Sequence, residues 1–275
     1  MVIPDAVPIG EKSFWLAVGI GTRNYFVEGG EMTFERPNVL VVSAHAADYV
    51  WRAGGTIAKY LKHGSKVKVI VLSLGVRGES NFLWKDPNQT YEAVAANRKS
   101  ESMAAAKCLG ITDIEFWDLE DYYMDLDKPE LLDRMVRTIR TFQPDHIITH
   151  GDLDLLNPDH DAVNRFVFKA SVQAISAGVR IAGLPASRQT RIFGFEPHQP
   201  EICNFKPEVI IDITETMEQK KAAMNCFKAQ AHLIEYYTIR AFVRGNHARR
   251  LSGDNSYKFA EAFTRRFPYV GDWLV

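Results

Sequence analysis

Short apolar runs alternate with longer segments of helical character along most of this chain, and no other feature restricts the fold as much. The pairs, each an apolar run followed by a helix-like segment, are Val39–Ser43 with about Val50–Lys62, Val67–Leu72 with about Tyr91–Leu109, Ile114–Trp117 with about Pro129–Phe142, and His146–Thr149 with about Asp159–Ala177. This alternation predicts an α/β fold with a mostly parallel sheet and helices on both faces. Two further strands, near Arg191–Phe195 and Val209–Asp212, extend the predicted sheet, and a helix is predicted over Met217–Ala231.

The length of the chain favours one domain. Its 275 residues, of which 46% are hydrophobic, can bury a substantial core and are near the upper limit for a single domain. We expect residues 37–275 to form that domain and residues 1–36 to be an N-terminal extension.

The first 31 residues raise a separate question, namely where translation begins. The segment Glu28-Gly29-Gly30-Glu31 would be encoded by purine-rich triplets before Met32, as a ribosome-binding site would be. Our hypothesis is that native translation begins at Met32. The apolar stretch Phe14–Ile20 lacks a clear signal-peptide cleavage site.

The charge balance excludes several kinds of partner. Lysine and arginine number 33, and aspartate and glutamate 34, so the chain has no electrostatic footprint for nucleic acid or an anionic membrane. No apolar run approaches the roughly 20 residues that a membrane span needs. The three cysteines lack CxxC spacing, which fits a reducing cytoplasm better than a disulfide framework. We therefore expect a cytoplasmic protein whose partner is a small molecule.

A histidine and a carboxylate stand three residues apart where the first predicted strand ends. His45 and Asp48 follow Val39–Ser43, and the distant segment Asn157-Pro158-Asp159-His160 follows another strand and opens a helix. The carboxyl ends of parallel strands meet at one edge of a sheet, so this segment is expected to supply a third ligand beside the first two residues. Imidazole and carboxylate ligands suit zinc, and three protein ligands leave an open position for water or substrate, as in catalytic sites. The alternative is a turn in which Asp48 only caps the following helix.

These residues belong to a wider set that resembles one family. The set comprises Ala44-His45-Ala46-Ala47-Asp48, Gly54-Gly55, Arg77-Gly78-Glu79, Arg98 with Glu101 and Leu109-Gly110, Thr149-His150-Gly151, Asn157-Pro158-Asp159-His160, Gln230, Tyr257 and Ala260-Glu261-Ala262-Phe263. Over about residues 37–265 it resembles the PIG-L/LmbE family of zinc-dependent N-acetylglucosaminyl deacetylases. The resemblance implies a Rossmann-like fold and a catalytic domain. It also implies one Zn²⁺ per subunit, or another divalent metal, held by His45, Asp48 and His160.

One motif departs from the family pattern. The family's first motif reads Ala-His-Pro-Asp-Asp, and its first Asp is the general base for amide hydrolysis, but the matching residue here is Ala47 and the preceding Pro is replaced by Ala46. A methyl group cannot accept a proton. The sequence around this motif resembles the 4-oxalomesaconate hydratases of gallate and protocatechuate degradation, a subgroup that adds water to a C=C bond of a tricarboxylate. The resemblance implies a lyase of aromatic-compound catabolism with a small anionic substrate.

Position and resemblance also nominate residues that act on the substrate. The candidates for delivering a proton are Asp159, Asn157, His150 and Glu79. Arg77 is the first choice for holding a substrate carboxylate, because guanidinium matches carboxylate in bidentate geometry. Its structural alternative is an ion pair with Glu79 or Glu101. The other substrate-binding candidates are Arg98 and His198.

The remaining charged and aromatic side chains receive simpler interpretations. Arg52 is interpreted as a solvated residue of the first helix. A basic cluster near the C-terminus could complete the pocket of the same or a neighbouring subunit in an expected homo-oligomer, and consists of Arg240, Arg244 and His247. Three aromatic residues are interpreted as packing residues or a pocket wall: Trp117, Tyr122 and Tyr123.

Two other functions remain open at this point. A deacetylase of an amino sugar or related amide could use Asp159 or a group of the substrate as its base. A metal-retaining protein without catalytic activity could simply bind its ligand. The Ala46-Ala47 pair favours the hydratase over the deacetylase, and Asp159 together with the metal ligands weighs against a non-catalytic protein.

Overall fold

Seven strands form one mixed sheet, and a separate pair of strands precedes them. The computed structural model describes residues 25–28, 31–34, 36–181 and 183–270. The separate pair is β1 (Tyr25–Glu28) and β2 (Glu31–Phe34), which run antiparallel. The strands of the sheet are β3 (Val39–Ser43), β4 (Val67–Ser73), β5 (Asp113–Leu119), β6 (His146–Thr149), β7 (Arg191–Phe195), β8 (Val209–Asp212) and β9 (Ala260–Arg265).

The order of the strands creates a reversal beside β3. The sheet runs β5-β4-β3-β6-β7-β9-β8. The first five of these strands pair in parallel, whereas β9 is antiparallel to both β7 and β8. Every residue of β3 and β6 is buried, as expected for central parallel strands that are covered on both faces. Open α/β sheets bind ligands at such a reversal point, outside the carboxyl ends of the strands.

Helices cover both faces of the sheet, as predicted. They are α1 (Asp48–Lys62), α2 (Tyr91–Leu109), α3 (Pro129–Phe142), α4 (Pro158–Ile175), α5 (Met217–Met224) and α6 (Leu233–Ser252). One apolar core contains residues of α1, α2 and α5, and a second contains residues of α3 and α4. Thr90 caps α2 by accepting the N–H of Ala93, and Gly110 ends it with a φ of 81°, a conformation in which glycine is favoured.

Close packing of α1 against the residue that follows β8 explains Gly55. A Cβ atom on Gly55 would lie 2.6 Å from Cδ1 of Ile213. The carboxylate of Glu261 accepts the N–H groups of Gly55 and Thr56 at 3.0 and 2.8 Å. Lys220 donates to the same carboxylate at 2.6 Å in a buried ion pair. These contacts fix the position of α1, whose first two turns carry site residues.

The predicted helix over Met217–Ala231 is wrong beyond the end of α5. Glu101 Oε1 accepts the backbone N–H groups of Lys228 and Ala229 at 2.7 and 3.2 Å. These amides therefore bind a side chain of α2, and the chain makes a 3₁₀ turn there before α6 begins. The strand β9 and the helix α6 were not predicted.

The described chain divides into two units, one from Pro37 to Tyr269 and one that contains the β1–β2 pair. The start of translation at Met32 and the status of residues 1–36 as an extension stay predictions. The stretch Phe14–Ile20 lies outside the described residues. Within the described ranges, no helix has both the length and the apolar character that crossing a membrane requires.

Candidate metal and active site

Polar segments meet at the carboxyl ends of three adjacent strands. His45 follows β3, Glu79 follows β4, and both His150 and His160 follow β6. Because β3 has β4 and β6 as its immediate neighbours, the loops after these strands converge at the reversal point of the sheet. The structure thus brings the predicted residues of three distant segments to one edge.

The turn between β3 and α1 orients His45 and Asp48. The backbone N–H of His45 donates to Asp48 Oδ2 at 2.8 Å. The Ser43 hydroxyl donates to the carbonyl of His45 at 2.7 Å and accepts the N–H of Tyr49 at 3.2 Å. The residue before α1 is Ala47, which provides no side-chain cap. Asp48 bonds back to the turn and does not cap the helix, so the capping alternative is wrong.

Four side chains offer ligand atoms that lie within 4.8 Å of one another: His45, Asp48, Glu79 and His160. His45 Nδ1 lies 3.2 Å from His160 Nε2 and 3.4 Å from Asp48 Oδ2. His45 Nδ1 also lies 3.3 Å from Glu79 Oε1, and His160 Nε2 lies 3.5 Å from Asp48 Oδ1. A tetrahedral ion with bonds of about 2.0–2.1 Å has ligand atoms roughly 3.3–3.4 Å apart. The cluster therefore fits one divalent ion.

Two aspartates contact the ring nitrogens that face away from the cluster. Asp159 Oδ2 lies 3.1 Å from His45 Nε2 and accepts the N–H of Tyr122 at 2.9 Å. Asp154 Oδ2 lies 2.9 Å from His160 Nδ1. Carboxylates in this position fix the tautomer and the ring orientation of metal-binding histidines. Sequence reasoning missed Asp154, although it stands in the polar segment between the fourth predicted strand and its helix.

The electrostatics of the cluster also suit a cation. Burial lowers the pKa of His45, but the charge of Glu79 and the contact with Asp159 raise it well above its usual value. Burial raises the pKa of Asp154, but the hydrogen bond to His160 and the charge of Arg52 together outweigh this effect and bring the pKa to about 2. Carboxylates crowded around two imidazoles attract positive charge, which a divalent ion would supply.

His150 lies behind the cluster. Its Nε2 accepts the N–H of Ala44 at 3.0 Å, and its ring stacks on His160 with centroids 4.0 Å apart. Burial, followed by the charge of His160, lowers the pKa of His150 to about 3. The imidazole is therefore neutral, and its Nε2 lies 3.4 Å from Asp48 Oδ2. His150 is not among the described residues that line a cavity beside the cluster.

A cavity of about 290 Å³ opens beside the cluster. Its wall includes the predicted residues Asp48, Glu79, Asn157, His160 and His198. Asn157 also caps α4, since its side-chain oxygen accepts the N–H of Asp159 at 3.2 Å. His198 Nδ1 lies 3.3 Å from the hydroxyl of Tyr237. Asp159 itself is buried and, in the described chain, is not part of the wall.

Arg77 lies away from this wall. Its guanidinium donates to Glu120 at 2.9 Å and packs over the rings of Tyr91 and Tyr123. The ion-pair alternative named the wrong carboxylates, because Glu120 follows β5 and reaches the loop after β4. In the part of the chain that the structure describes, Arg77 does not line the cavity.

Arg98 is fully buried and supports the site from inside the fold. Its guanidinium donates to Gln230 Oε1 at 2.8 Å and to Glu101 at 3.2 Å. It also lies 3.7 Å from Glu79 Oε2, and Gln230 Nε2 lies 3.5 Å from the same oxygen. Arg98 and Gln230 therefore position the Glu79 carboxylate, and Arg98 is not among the described residues that line the cavity.

The interpretation of Arg52 as a solvated residue is wrong. Its side chain is buried and lines the cavity. Asp48 lies one helical turn earlier, and residues four positions apart on a helix share a face. This spacing from a predicted ligand is the signal that could have identified Arg52 from the sequence.

The basic cluster and the aromatic residues have separate places. Arg240 Nη1 and Arg244 Nε bind Glu196 at 3.1 and 3.0 Å, and His247 Nδ1 lies 3.1 Å from Arg244. No member of this basic cluster lines the cavity as far as the structure describes the chain. Trp117 packs in the core under α3 and α4, whereas Tyr122 forms part of the cavity wall.

Comparison with known proteins gives the relationships of the chain. The family model "PIG-L: GlcNAc-PI de-N-acetylase" matches residues 40–171. A 4-oxalmesaconate hydratase of Pseudomonas putida is 39% identical over 251 residues, which cover 89% of this chain and 95% of that protein. A probable N-acetyl-alpha-D-glucosaminyl L-malate deacetylase 2 of Bacillus anthracis is 25% identical over 205 residues, 73% of this chain and 82% of its own length.

A solved structure agrees with this relationship. The crystal structure of GalB, the 4-carboxy-2-hydroxymuconate hydratase of Pseudomonas putida KT2440, superimposes with a TM-score of 0.82 and 38% identity. The match covers 86% of this chain and all of that one. The fold, the ligand cluster and the extent of these similarities lead to one conclusion: this chain belongs to the PIG-L family of enzymes.

Proposed function

We propose that this protein is a zinc-dependent hydratase that adds water to the C=C bond of 4-oxalomesaconate, an unsaturated oxo-tricarboxylate of gallate and protocatechuate degradation. It would act in the cytoplasm, as a homo-oligomer with one zinc ion per subunit. The similarity to the Pseudomonas hydratase, which spans 95% of that protein, supports this substrate class over the amides of the deacetylase relatives.

The observation that carries the proposal is an intact ligand cluster beside Ala47. The cluster keeps its two imidazoles and its carboxylates, yet the residue next to Asp48 at the start of α1 has a buried methyl group. Amide hydrolysis by the family's route needs a general base at this position. A carboxylate at this position would repel a substrate that carries about three negative charges, at a cost on the order of 1–4 kcal/mol for a close contact at intermediate dielectric. Its replacement by a methyl group therefore favours such a substrate.

The residues that would hold zinc are His45, Asp48 and His160. Asp159 and Asp154 contact the outer nitrogens of the two histidines and so keep the inner nitrogens oriented toward the ion. When bound there, zinc would polarise the conjugated oxo or carboxylate oxygens of the substrate as a Lewis acid.

Glu79 is the best-placed group for proton transfer. Hydration forms a C–O bond and a C–H bond, so one proton leaves the water and one reaches the neighbouring carbon. Of the predicted proton carriers, Asp159 and His150 lie behind the cluster and Asn157 does not titrate, whereas Glu79 both faces His45 and lines the cavity. Burial raises the pKa of Glu79, but the charge of His45 lowers it below its usual value, and zinc in the cluster would supply positive charge in place of a protonated His45.

The decisive experiment compares two reactions in one preparation. Zinc-loaded protein is mixed with 4-oxalomesaconate while the absorbance of the conjugated C=C bond is followed, and separately with N-acetylglucosamine compounds while acetate is assayed. We expect loss of the C=C absorbance, its abolition after chelation of the metal, and no acetate. Acetate release without hydration would overturn the proposal in favour of a deacetylase.

A further inference from the structure

The cavity beside the metal cluster contains a single fully cationic side chain. Arg52 is the only lysine or arginine on the wall within the described residues, and its side chain is 6% exposed. Three carboxylates line the same cavity, those of Asp48, Glu79 and Asp154. An anionic substrate that enters this space meets repulsion from all three, so the place where its own carboxylates bind is restricted.

The hydrogen-bond donors of Arg52 are not saturated by the protein. Nη1 donates to the carbonyl of Glu196 at 3.1 Å. The contacts of Nη1 and Nη2 with Asp154 Oδ2 are long, at 3.5 and 3.4 Å. Nε has no hydrogen-bond partner within the described chain and lies 3.5 Å from Asp48 Oδ1. A guanidinium that is buried with weak or missing bonds retains the capacity to bind another anion.

The contact between Arg52 and His160 does not satisfy a hydrogen-bond donor of the guanidinium. Arg52 Nη2 lies 3.4 Å from His160 Nδ1. The same Nδ1 lies 2.9 Å from Asp154 Oδ2, so it carries the proton and donates it to that carboxylate. A protonated ring nitrogen cannot accept a hydrogen bond from Arg52. The only protein acceptor of Nη2 in the described chain is therefore Asp154 Oδ2, at the long distance of 3.4 Å.

A second unpaired donor lies on the same wall. Trp51 belongs to the cavity wall, and its buried indole Nε1 has no hydrogen-bond partner in the described part of the chain. Its ring is held by stacking on Tyr237, with centroids 5.3 Å apart. Buried Trp N–H groups usually have a partner, so this donor points to a ligand oxygen.

We propose that Arg52 and the indole N–H of Trp51 form a subsite for one carboxylate group of the substrate, beside the metal cluster. The inference rests on the proposed function, because a neutral amide would bring no charge for the guanidinium. It assigns to Arg52 the role that the sequence suggested for Arg77, whose Nη2 pairs with Glu120 and which is not among the described residues of the cavity wall. One end of the substrate lies at the cluster, and a carboxylate at the other end lies against Arg52.

The test measures binding without turnover. Propane-1,2,3-tricarboxylate serves as an inert probe, with its neutral triamide as the matched uncharged probe, and dissociation constants are obtained by calorimetry on zinc-loaded protein. The variants are Arg52→Gln, Arg52→Lys, Trp51→Phe and Arg77→Gln, each checked for zinc content and thermal unfolding. Steady-state KM and kcat for 4-oxalomesaconate are measured in parallel.

We expect Arg52→Gln to weaken tricarboxylate binding and raise KM by about 10- to 100-fold, as loss of a charge-assisted bidentate contact does. Arg52→Lys should restore only part of this, because an ammonium lacks the planar fork. Trp51→Phe should weaken binding by a few-fold, and Arg77→Gln should stay near the wild type. The triamide should bind equally to wild type and Arg52→Gln.

Each contrary result has a distinct meaning. Unchanged tricarboxylate binding by zinc-replete Arg52→Gln, or weakening only by Arg77→Gln, would overturn the inference while the hydratase function stands. Loss of zinc from both Arg52 variants would also overturn it, because Arg52 would then support the metal ligands. Wild-type protein that neither binds the tricarboxylate nor hydrates 4-oxalomesaconate would remove the proposed function itself.

Discussion

His45 Nδ1 and His160 Nε2 lie 3.2 Å apart, although 115 residues separate them in the chain. The contact depends on β3 and β6 being neighbours in the sheet, since each histidine follows one of these strands. Asp48 and Glu79 each place a carboxylate oxygen within 4.8 Å of these two nitrogens. A break in this cluster is therefore expected to affect metal binding before it affects the fold.

Replacing one ligand tests the metal site. His160→Ala should remove both the bound zinc and the hydration activity, because the site then keeps only one of its two imidazole ligands and holds the ion poorly. His146→Ala is the matched control, since His146 is also a buried histidine but lies on β6 outside the cluster. Metal analysis of purified proteins gives the readout. One zinc per chain retained in His160→Ala would refute the assignment.

Restoring a carboxylate at position 47 separates the hydratase from the deacetylase. Ala47→Asp should depress hydration severely, because the added charge competes with the anionic substrate for the ion. Ala47→Asn adds the same bulk to this buried position without the charge, and should retain more activity. Under the deacetylase interpretation the same Asp would supply a general base, typically worth 10²- to 10⁴-fold. Wild-type acetate release that Ala47→Asp increases would therefore contradict our assignment.

Glu79 can be tested as a proton carrier and as a ligand in one experiment. Glu79→Gln keeps the shape of the side chain but cannot accept a proton, so kcat should fall by about 10²- to 10⁴-fold while zinc stays bound. Glu120→Gln removes a carboxylate at the surface and should leave kcat unchanged. If zinc is lost in proportion to activity, Glu79 is a fourth ligand and the proton carrier must be sought elsewhere.

His146 should make the stability of the fold depend on pH. Burial, and then the charge of Arg191, lowers the pKa of His146 to about 4, so between pH 6.5 and 4 the unfolded chain binds a proton that the folded chain does not. The contribution of His146 to the free energy of unfolding is therefore complete above pH 6.5. It is lost as the pH drops to 4, and the loss is on the order of 3 kcal/mol at most.

Chemical denaturation at several pH values measures this effect. His146→Gln removes the titrating group, so its free energy of unfolding should fall less steeply over the same range than that of the wild type. Comparison at pH 7.5, where the imidazole is neutral in both states, corrects for lost packing against Phe193 and Tyr60. Identical slopes for the two proteins would show that His146 does not titrate on unfolding.

Several features of this protein follow from the sequence alone. The spacing of apolar residues and the length of the apolar runs predicted the α/β fold. Three elements have the predicted bounds: Tyr91–Leu109, Pro129–Phe142 and His146–Thr149. The approach of His45, Asp48 and His160 was also predictable, because the carboxyl ends of parallel strands must share one edge. These properties depend on the local backbone and on the general rules of sheet topology.

Tertiary structure decided which side chains of the nominated segments face the cavity. Arg77 and Arg52 both lie at the edge of the sheet where the site forms. Arg77 donates to Glu120, whereas the packing of α1 buries Arg52. Glu101 likewise ends a helical pattern by binding the N–H groups of Lys228 and Ala229. Each outcome depends on a partner distant in sequence, and the periodicity of a segment contains no information about such a partner.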